Sequence, residues 1–231
     1  MTITVLEECR LALVAGEWPF AVARALEISR HWETATAANP ALFNGEIFVV
    51  ADWRIENGCL EARMLETKFA AYLYWRATGF AGSDCDEAFA TTVVLSREGG
   101  MLVARAVDGT LNEGHYLPPG GLIDGRDVTG AGLLDPAAAA TRELAEEAGL
   151  CAPFATRRPG FLLARNAPYL AIATVFDVDA SDAELIAHVE RYVASQVQPE
   201  LIDPQILKRR ADLDRVRLTT PTRLLGAYVL D

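Results

Sequence analysis

The spacing of apolar and polar positions divides the chain into short strands and amphipathic helices. Period-two alternation predicts strands over residues 2–14, 46–54, 59–65, 89–96, 101–107 and 169–178, with a short strand at 205–207. Helical spacing predicts helices over residues 19–36, 67–78, 136–148 and 183–196, and a last helix that begins at Thr220-Pro221. Hairpins mixed with helices in this way predict an α+β fold or a layered α/β/α fold, with a mixed sheet.

A short polar segment divides the pattern into two parts. The residues from Ala81 to Glu87 are small or polar, and they predict a boundary between residues 1–87 and residues 88–231. The first part contains both helix and strand signals and all four tryptophans, which are usually core residues. We therefore expect an N-terminal α/β extension that packs on the second part, because no longer flexible linker joins them.

The helix predicted at 136–148 has clear start and stop signals. Asp135 is a suitable N-cap, Pro136 suits the first turn, and Gly149 suits the C-terminal end. A narrow apolar stripe runs along one side through Ala137, Ala140, Leu144 and Ala148. Such small residues favour close packing of this helix against a sheet.

The same helix carries three acids on a neighbouring arc. Glu143, Glu146 and Glu147 repel one another at i, i+3 and i, i+4 spacing, and the last two lie at the end of the helix dipole that disfavours acids. A divalent cation would explain the cluster, because Mg²⁺ prefers hard oxygen ligands and often bridges to phosphates. The alternative is a solvated acidic face, since exposed glutamate is the ordinary case.

Composition and charge narrow the possible partners. The chain has 231 residues, 51% of them hydrophobic, and 21 Lys and Arg against 32 Asp and Glu give a net charge of −11. Nucleic-acid binding needs concentrated positive charge, and the longest basic run is only Lys208-Arg209-Arg210, so we expect no nucleic-acid partner. We expect no membrane partner either, because no run approaches the length of a spanning helix.

The cysteines and histidines are too scattered to predict a zinc site. They are Cys9, Cys59, Cys85 and Cys151, and His31, His115 and His188. We expect reduced cysteines and a cytoplasmic location, because acidic Glu7 and Glu8 interrupt the apolar start and no basic residue precedes it.

Residues 142–150 resemble the second half of the Nudix box. The segment reads Arg-Glu-Leu-Ala-Glu-Glu-Ala-Gly-Leu, and the similarity to Arg-Glu-hydrophobic-x-Glu-Glu-x-Gly-hydrophobic is complete. Upstream, Pro119-Gly120-Gly121 leads into the box as it does in that family. The resemblance covers about residues 88–231, and it implies a Nudix-type α/β/α sandwich.

The resemblance also implies a chemistry and a set of residues. Nudix enzymes hydrolyse a nucleoside diphosphate linked to another moiety, using Mg²⁺ or Mn²⁺. The implied metal ligands are Glu143, Glu146 and Glu147, with Arg142 orienting a carboxylate. Further candidates are Glu200 as a fourth acid, Gly120 and Gly121 for close approach of substrate, and Arg105 for a phosphate. The alternatives are a loop carboxylate, a simple turn and a solvated strand-end arginine, respectively.

Two departures from the family pattern leave other functions open. Leu134 stands where the family has the first glutamate of the box, and the loop from Gly121 to Leu134 is longer than usual. The long loop and the Asn44-Gly45 start before a strand are loosely similar to a Nudix branch that splits UDP-sugars. The alternatives are a catalytically silent Nudix domain that senses a nucleotide metabolite, and an interaction protein with an acidic helix. Dimers are common in the family, so a homodimer also stays open.

Overall fold

A computed structural model describes all residues, 1–231, as two mixed β-sheets with six α-helices. The strands are β1 Thr2–Leu6, β2 Glu8–Leu13, β3 Glu46–Glu56, β4 Cys59–Lys68, β5 Glu87–Ser96, β6 Met101–Ala106, β7 Tyr116–Leu117, β8 Gly120–Leu122, β9 Leu133–Leu134, β10 Ala155–Arg157, β11 Phe161–Asn166, β12 Tyr169–Val178 and β13 Leu201–Leu207. The helices are α1 Pro19–Ala23, α2 Ala25–Ala38, α3 Phe69–Ala77, α4 Pro136–Ala148, α5 Asp182–Ser195 and α6 Thr220–Val229. Two 3₁₀ turns lie at Gly125–Asp127 and Arg210–Asp214. The predicted α/β class with mixed sheets is confirmed.

The larger sheet has helices on both faces. Its main order is β1-β11-β12-β5-β6-β13, with β12 and β5 parallel and the other neighbouring pairs antiparallel. Adjacent residues of β5 show the two faces, because side chains alternate along a strand. Val93 packs in a cluster with Leu225 of α6, whereas Val94 packs with Leu144 of α4 and Leu185 of α5. The core is therefore an α/β/α sandwich.

The smaller sheet joins the N-terminal part of the chain to the α4 region. Its order is β3-β4-β2-β9, with β4 and β2 parallel. One apolar cluster contains Leu60 and Met64 of β4, Leu134 of β9 and Ala140 of α4. In addition, β1 pairs with β11 at the edge of the larger sheet. Residues before and after the Ala81–Glu87 segment therefore share one core.

The strands predicted over 46–54 and 59–65 form an antiparallel hairpin, and its turn lies at Asn57-Gly58, a dipeptide typical of tight hairpin turns. Asn57 and Gly58 have φ angles of 48° and 76°, the left-handed conformation that such a turn requires. The strands on either side extend beyond the predicted bounds, to Glu56 and to Lys68.

Two predicted elements are wrong in detail. Residues 2–14 form two strands, because the chain leaves the larger sheet at Leu6 and enters the smaller one at Glu8. The helix predicted over 19–36 is divided at Arg24, which has φ −113° and ψ 20°. Alternation cannot report such a change of sheet, because apolar positions continue on both sides of the bend.

Six strands after residue 107 were missed or shortened in the prediction. Five were not predicted, namely β7, β8, β9, β10 and β11, and β13 begins at Leu201, four residues before the predicted start at Gln205. β13 pairs with β6 with an irregularity between Ile202 and Gln205, which breaks the period-two pattern. None of the helices is both long enough and apolar enough to cross a membrane.

Candidate active site

A deep cavity of about 1160 Å³ lies between α4, the end of the larger sheet and the N-terminal part of the chain. Its acidic end is formed by α4 and the segment before β13. Its opposite end is formed by α3 and the start of β5. The lining includes Phe43, Lys68, Tyr72, Arg76, Glu87, Phe89, Thr91, Gly120, Gly121, Arg126, Glu143, Glu146, Glu147, Tyr169 and Glu200.

The caps predicted for α4 are present and fix where its acids lie. The Asp135 carboxylate accepts hydrogen bonds from the amides of Ala137 and Ala138, at 2.9 and 3.0 Å. Gly149 ends the helix with φ 66°, a conformation that glycine adopts without strain. The helix therefore presents Glu143, Glu146 and Glu147, which the spacing places on one arc, to the cavity.

Glu147 is the buried centre of the acidic end. The residue is only 8% exposed, and its Oε2 accepts a 2.8 Å hydrogen bond from the Gly120 amide. Burial raises the pKa of Glu147 well above its ordinary value, and the negative charges of Glu143, Glu200 and Glu146 raise it further against the Gly120 hydrogen bond. Burial of the ionised Glu147 carboxylate therefore costs free energy.

Glu143 and Glu146 turn toward Arg142 instead of toward each other. Arg142 Nη1 lies 2.6 Å from Glu143 Oε1 and 3.3 Å from Glu146 Oε2. Burial raises the pKa of Glu143 despite Arg142, and the charges of Glu146 and Glu200 raise it further. No group of three or more histidine, cysteine, aspartate or glutamate side chains stands close enough to form a preassembled metal site. The acids share one pocket but do not close around one point.

Of the other candidates from the sequence, three line the cavity and one does not. Glu200 lines it opposite α4, and Gly120 and Gly121 form its wall. A Cβ on Gly120 would lie 2.7 Å from the Ala90 carbonyl oxygen, and one on Gly121 would lie 2.8 Å from Glu143 Oε1, so both glycines permit close packing. Arg105 is not brought to the cavity, because its neighbour Ala106 faces that side of β6 and strand side chains alternate.

Asp127 is a supporting residue that the sequence prediction missed. It lies in the long box loop, is 5% exposed, and accepts hydrogen bonds from Arg142 Nη2 at 3.1 and 3.2 Å. Leu134, at the position of the family's first glutamate, instead pairs with Leu11 across β9 and β2 and is buried. The loop thus returns a carboxylate to Arg142 from a different position in the chain. Asp127 and Glu143 outweigh the effect of burial and raise the pKa of Arg142.

The donor set at the acidic end fits a hard divalent cation in charge and chemistry. Four carboxylates, those of Glu143, Glu146, Glu147 and Glu200, line one pocket. The positive charge beside them comes from Arg142 and from Arg126, whose Nη1 is 3.8 Å from Glu146. Carboxylate oxygens are the ligands that Mg²⁺ prefers. A bound cation would stabilise the ionised carboxylates and so lower the raised pKa values of Glu147 and Glu143.

The opposite end of the cavity holds a second buried acid. Glu87 begins β5, is 5% exposed, and its Oε1 accepts a 2.8 Å hydrogen bond from the Tyr72 hydroxyl. Burial raises the pKa of Glu87 to about 7, although the Tyr72 hydrogen bond and the charge of Arg76 lower it. Glu87 was included in the predicted boundary segment, so the prediction missed it as a cavity residue.

The metal-free protein should lose thermal stability as the pH rises from 5 to 7.5. The pKa of Glu87 is about 7 in the fold against 4.5 for a free glutamate, so the folded state holds a proton that the unfolded chain has released. Stability therefore falls with pH across this window. The neighbouring Tyr72, Tyr169 and Arg76 have pKa values raised from ordinary values of 10 or more and do not titrate there.

Thermal melts at fixed ionic strength measure this effect, and we expect the Tm to fall by roughly 5 °C. Glu87→Gln should give a shallower decline than the wild type. A Tm that stays level or rises over this range, or an unchanged slope in Glu87→Gln, would show that the Glu87 carboxyl is not strained by burial.

Solved structures with partial similarity to this chain include named Nudix and MutT proteins. A C. elegans Ap4A hydrolase, determined as a binary complex, matches at 17% identity and a TM-score of 0.42, covering 62% of this chain and 96% of that one. RenU, a Nudix hydrolase from M. smegmatis, matches at 14% identity and a TM-score of 0.40, covering 62% and 81%. A MutT protein from Methanosarcina mazei matches at 18% identity and a TM-score of 0.42, covering 62% and 91%.

No protein-family model and no curated protein matches the chain. The similarity to Nudix hydrolases is therefore carried by the motif at residues 142–150 and by its place on α4, whose acids face a deep cavity.

Proposed function

We propose that this protein is a metal-dependent hydrolase that cleaves the pyrophosphate bond of a nucleoside diphosphate linked to a second moiety. The observation that carries the proposal is the buried Glu147 at the end of a deep cavity, surrounded by three further carboxylates. A merely solvated acidic face would expose these groups to water. Here the chain buries one of them and raises its pKa, which is typical of functional sites.

The bound cation would be Mg²⁺ or Mn²⁺, held by Glu143, Glu146 and Glu147. When bound, such an ion neutralises the diphosphate and lowers the pKa of bound water. The protein's own hydrogen bonds orient the carboxylates that would hold the ion. The Gly120 amide holds Glu147 Oε2, and Arg142, held by Asp127, holds the Glu143 carboxylate. These hydrogen bonds fix the positions of the two carboxylates before substrate arrives.

Glu200 is our candidate for the acid that accepts the proton of the attacking water. It lines the acidic end of the cavity together with the acids of α4. Its negative charge raises the pKa of both Glu143 and Glu147. A general base must come within hydrogen-bond reach of the proton that it removes, either directly or through one water. Glu200 lines the same small pocket as the proposed metal ligands, which supports this role in the attack of water on phosphorus.

The cavity is large enough for a complete nucleotide conjugate. Its volume of about 1160 Å³ exceeds what a single phosphate group needs. Residues of the N-terminal part, including Phe43, Asn44 and Lys68, line its mouth. We propose that this part of the chain selects the second moiety, with nucleotide-sugars among the candidates.

A hydrolysis screen tests the proposal. UDP-sugars, ADP-ribose, dinucleoside polyphosphates, NADH and CoA are incubated with Mg²⁺ or Mn²⁺, and the phosphorus products are identified by NMR. We expect cleavage of at least one anhydride that stops on chelation of the metal. Absence of turnover on every substrate class would reject the enzymatic function.

The N-terminal part, residues 1–87, is proposed to be an integral part of the catalytic unit. It shares an apolar cluster with α4, and β1 pairs with β11. Limited proteolysis should therefore give no stable fragment of residues 88–231, because cutting would expose Ala137, Ala140 and Leu163 of the shared cluster. A stable 88–231 fragment with unchanged turnover would contradict this prediction.

A further inference from the structure

Glu87 carries an unsatisfied carboxylate oxygen at the far end of the cavity. The residue is 5% exposed and lines the cavity wall. Its Oε1 is bound by the Tyr72 hydroxyl, but its Oε2 is buried with no hydrogen-bond partner. A buried polar atom without a partner costs free energy, so such atoms are rare in folded proteins. Glu87 Oε2 is therefore available to a group that enters the cavity.

The side chain is held in place by a short chain of hydrogen bonds. Arg76 Nη1 donates to the Tyr72 oxygen at 3.3 Å, and the Tyr72 hydroxyl donates to Glu87 Oε1 at 2.8 Å. Arg76 Nη2 is in turn fixed by the Leu111 carbonyl and by Asn112 Oδ1, at 2.8 and 3.0 Å. This network fixes the direction of the free oxygen. It also occupies the guanidinium that would otherwise be available to an anion.

Along β5, Glu87 lies about the length of one nucleoside away from the acidic end of the cavity. Glu87, Phe89 and Thr91 are alternate residues of the strand and all line the cavity. Thr91 pairs with Gly120, whose amide binds Glu147. Four residues of strand span about 13 Å. A ligand with its diphosphate at the Glu147 end would therefore place its far end at Glu87.

We propose that Glu87 is a specificity-determining residue that accepts hydrogen bonds from the uncharged, donor-bearing far end of the substrate. This proposal rests on the function proposed above. The feature that such groups share is a pair of N–H or O–H hydrogen-bond donors, as on the edge of guanine or on the hydroxyls of a sugar. A carboxylate with a free oxygen favours such donors and repels a second phosphate at this end. The flanking rings of Phe89 and Tyr169 give a planar or ring-shaped group apolar contact.

Calorimetric titration at pH 8 with Mg²⁺ tests the proposal without turnover. The probes are GMP against AMP for a nucleobase, and glucose 1-phosphate against inorganic phosphate for a sugar. None of them contains an anhydride bond, so failure of Glu87 recognition is read separately from failure of hydrolysis. We expect the wild type to bind GMP or glucose 1-phosphate at least about 10-fold more tightly than its reference, because a lost hydrogen-bond pair has this effect.

The variant Glu87→Gln should abolish that preference, and the pair affected identifies the source of the donors. Glu190→Gln is the matched control, because it removes the same charge from an exposed position on α5 that does not line the cavity, and it should keep the preference. The proposal is overturned if a folded Glu87→Gln protein keeps the wild-type preference, or if the wild type shows no preference within either pair.

Discussion

Replacement of Glu147 by glutamine should lower turnover by at least about 10²-fold, which is the usual effect of removing an electrostatic catalytic group. The amide retains the shape of the side chain, and its oxygen can still accept the Gly120 hydrogen bond. What it loses is the negative charge of one of the four carboxylates that line the acidic end of the cavity. The same change should leave the metal-free melting temperature unchanged or higher, because repulsion from Glu143, Glu200 and Glu146 disappears. Initial rates at saturating Mg²⁺ and metal-free melts measure the two effects.

Glu190→Gln is the matched control for charge alone. Glu190 lies on α5, is exposed and does not line the cavity, so its replacement should leave the rate unchanged. Near-wild-type rates in both Glu146→Gln and Glu147→Gln would mean that α4 only presents acids to solvent.

Replacement of Asp127 by alanine should destabilise the fold by about 3 kcal/mol, the lower end of the range for breaking a buried ion pair. Asp127 is 5% exposed and receives two hydrogen bonds from Arg142 Nη2 and one from the Asp124 amide. Its loss leaves a guanidinium, 18% exposed, that is free to shift toward Glu146. Thermal melts should show a decrease of roughly 6–12 °C. The rate should fall as well, because Arg142 also positions Glu143.

Asp177→Ala provides the comparison on the surface. Asp177 also receives two arginine hydrogen bonds, from Arg158 at 2.6 and 2.7 Å, but both side chains are about half exposed. Its loss should cost less than about 1 kcal/mol and leave the rate unchanged. Equal destabilisation in the two variants would show that Asp127 has no special supporting role.

The elements that the sequence predicts well are those set by local signals. The start, end and acidic face of α4 follow from Asp135, Pro136 and Gly149, whose effects act within one turn of the helix. The turn at Asn57-Gly58 likewise follows from the backbone conformation that these residues adopt easily. For the same reason, the shared arc of Glu143, Glu146 and Glu147 is predictable from spacing, whereas the cavity that they line is formed by distant segments.

The parts that sequence could not provide depend on contacts between distant segments. Asp127 reaches Arg142 from a loop whose path is set by pairing of Leu134 with Leu11. Glu87 resembles a linker residue until β5 pairs with β12 and buries it. The place of Arg105 depends on which face of β6 meets the cavity, and its side chain lies on the other face. Of these residues, only Asp127 could have been anticipated from the sequence. Leu134 replaces the first glutamate of the Nudix motif, so a buried Arg142 requires another acid as its partner.

Binding of Mn²⁺, followed by electron paramagnetic resonance of the free ion, tests most directly whether the acidic end of the cavity is a cation site. The wild type should remove free Mn²⁺ from solution in a saturable titration, and Mg²⁺ should compete. Glu147→Gln should weaken this binding at least about 10-fold, because one of the negative charges that line this end of the cavity is lost, whereas Glu190→Gln should not. Titrations that are identical for the wild type, Glu147→Gln and Glu190→Gln would contradict a cation site at the acidic end of the cavity.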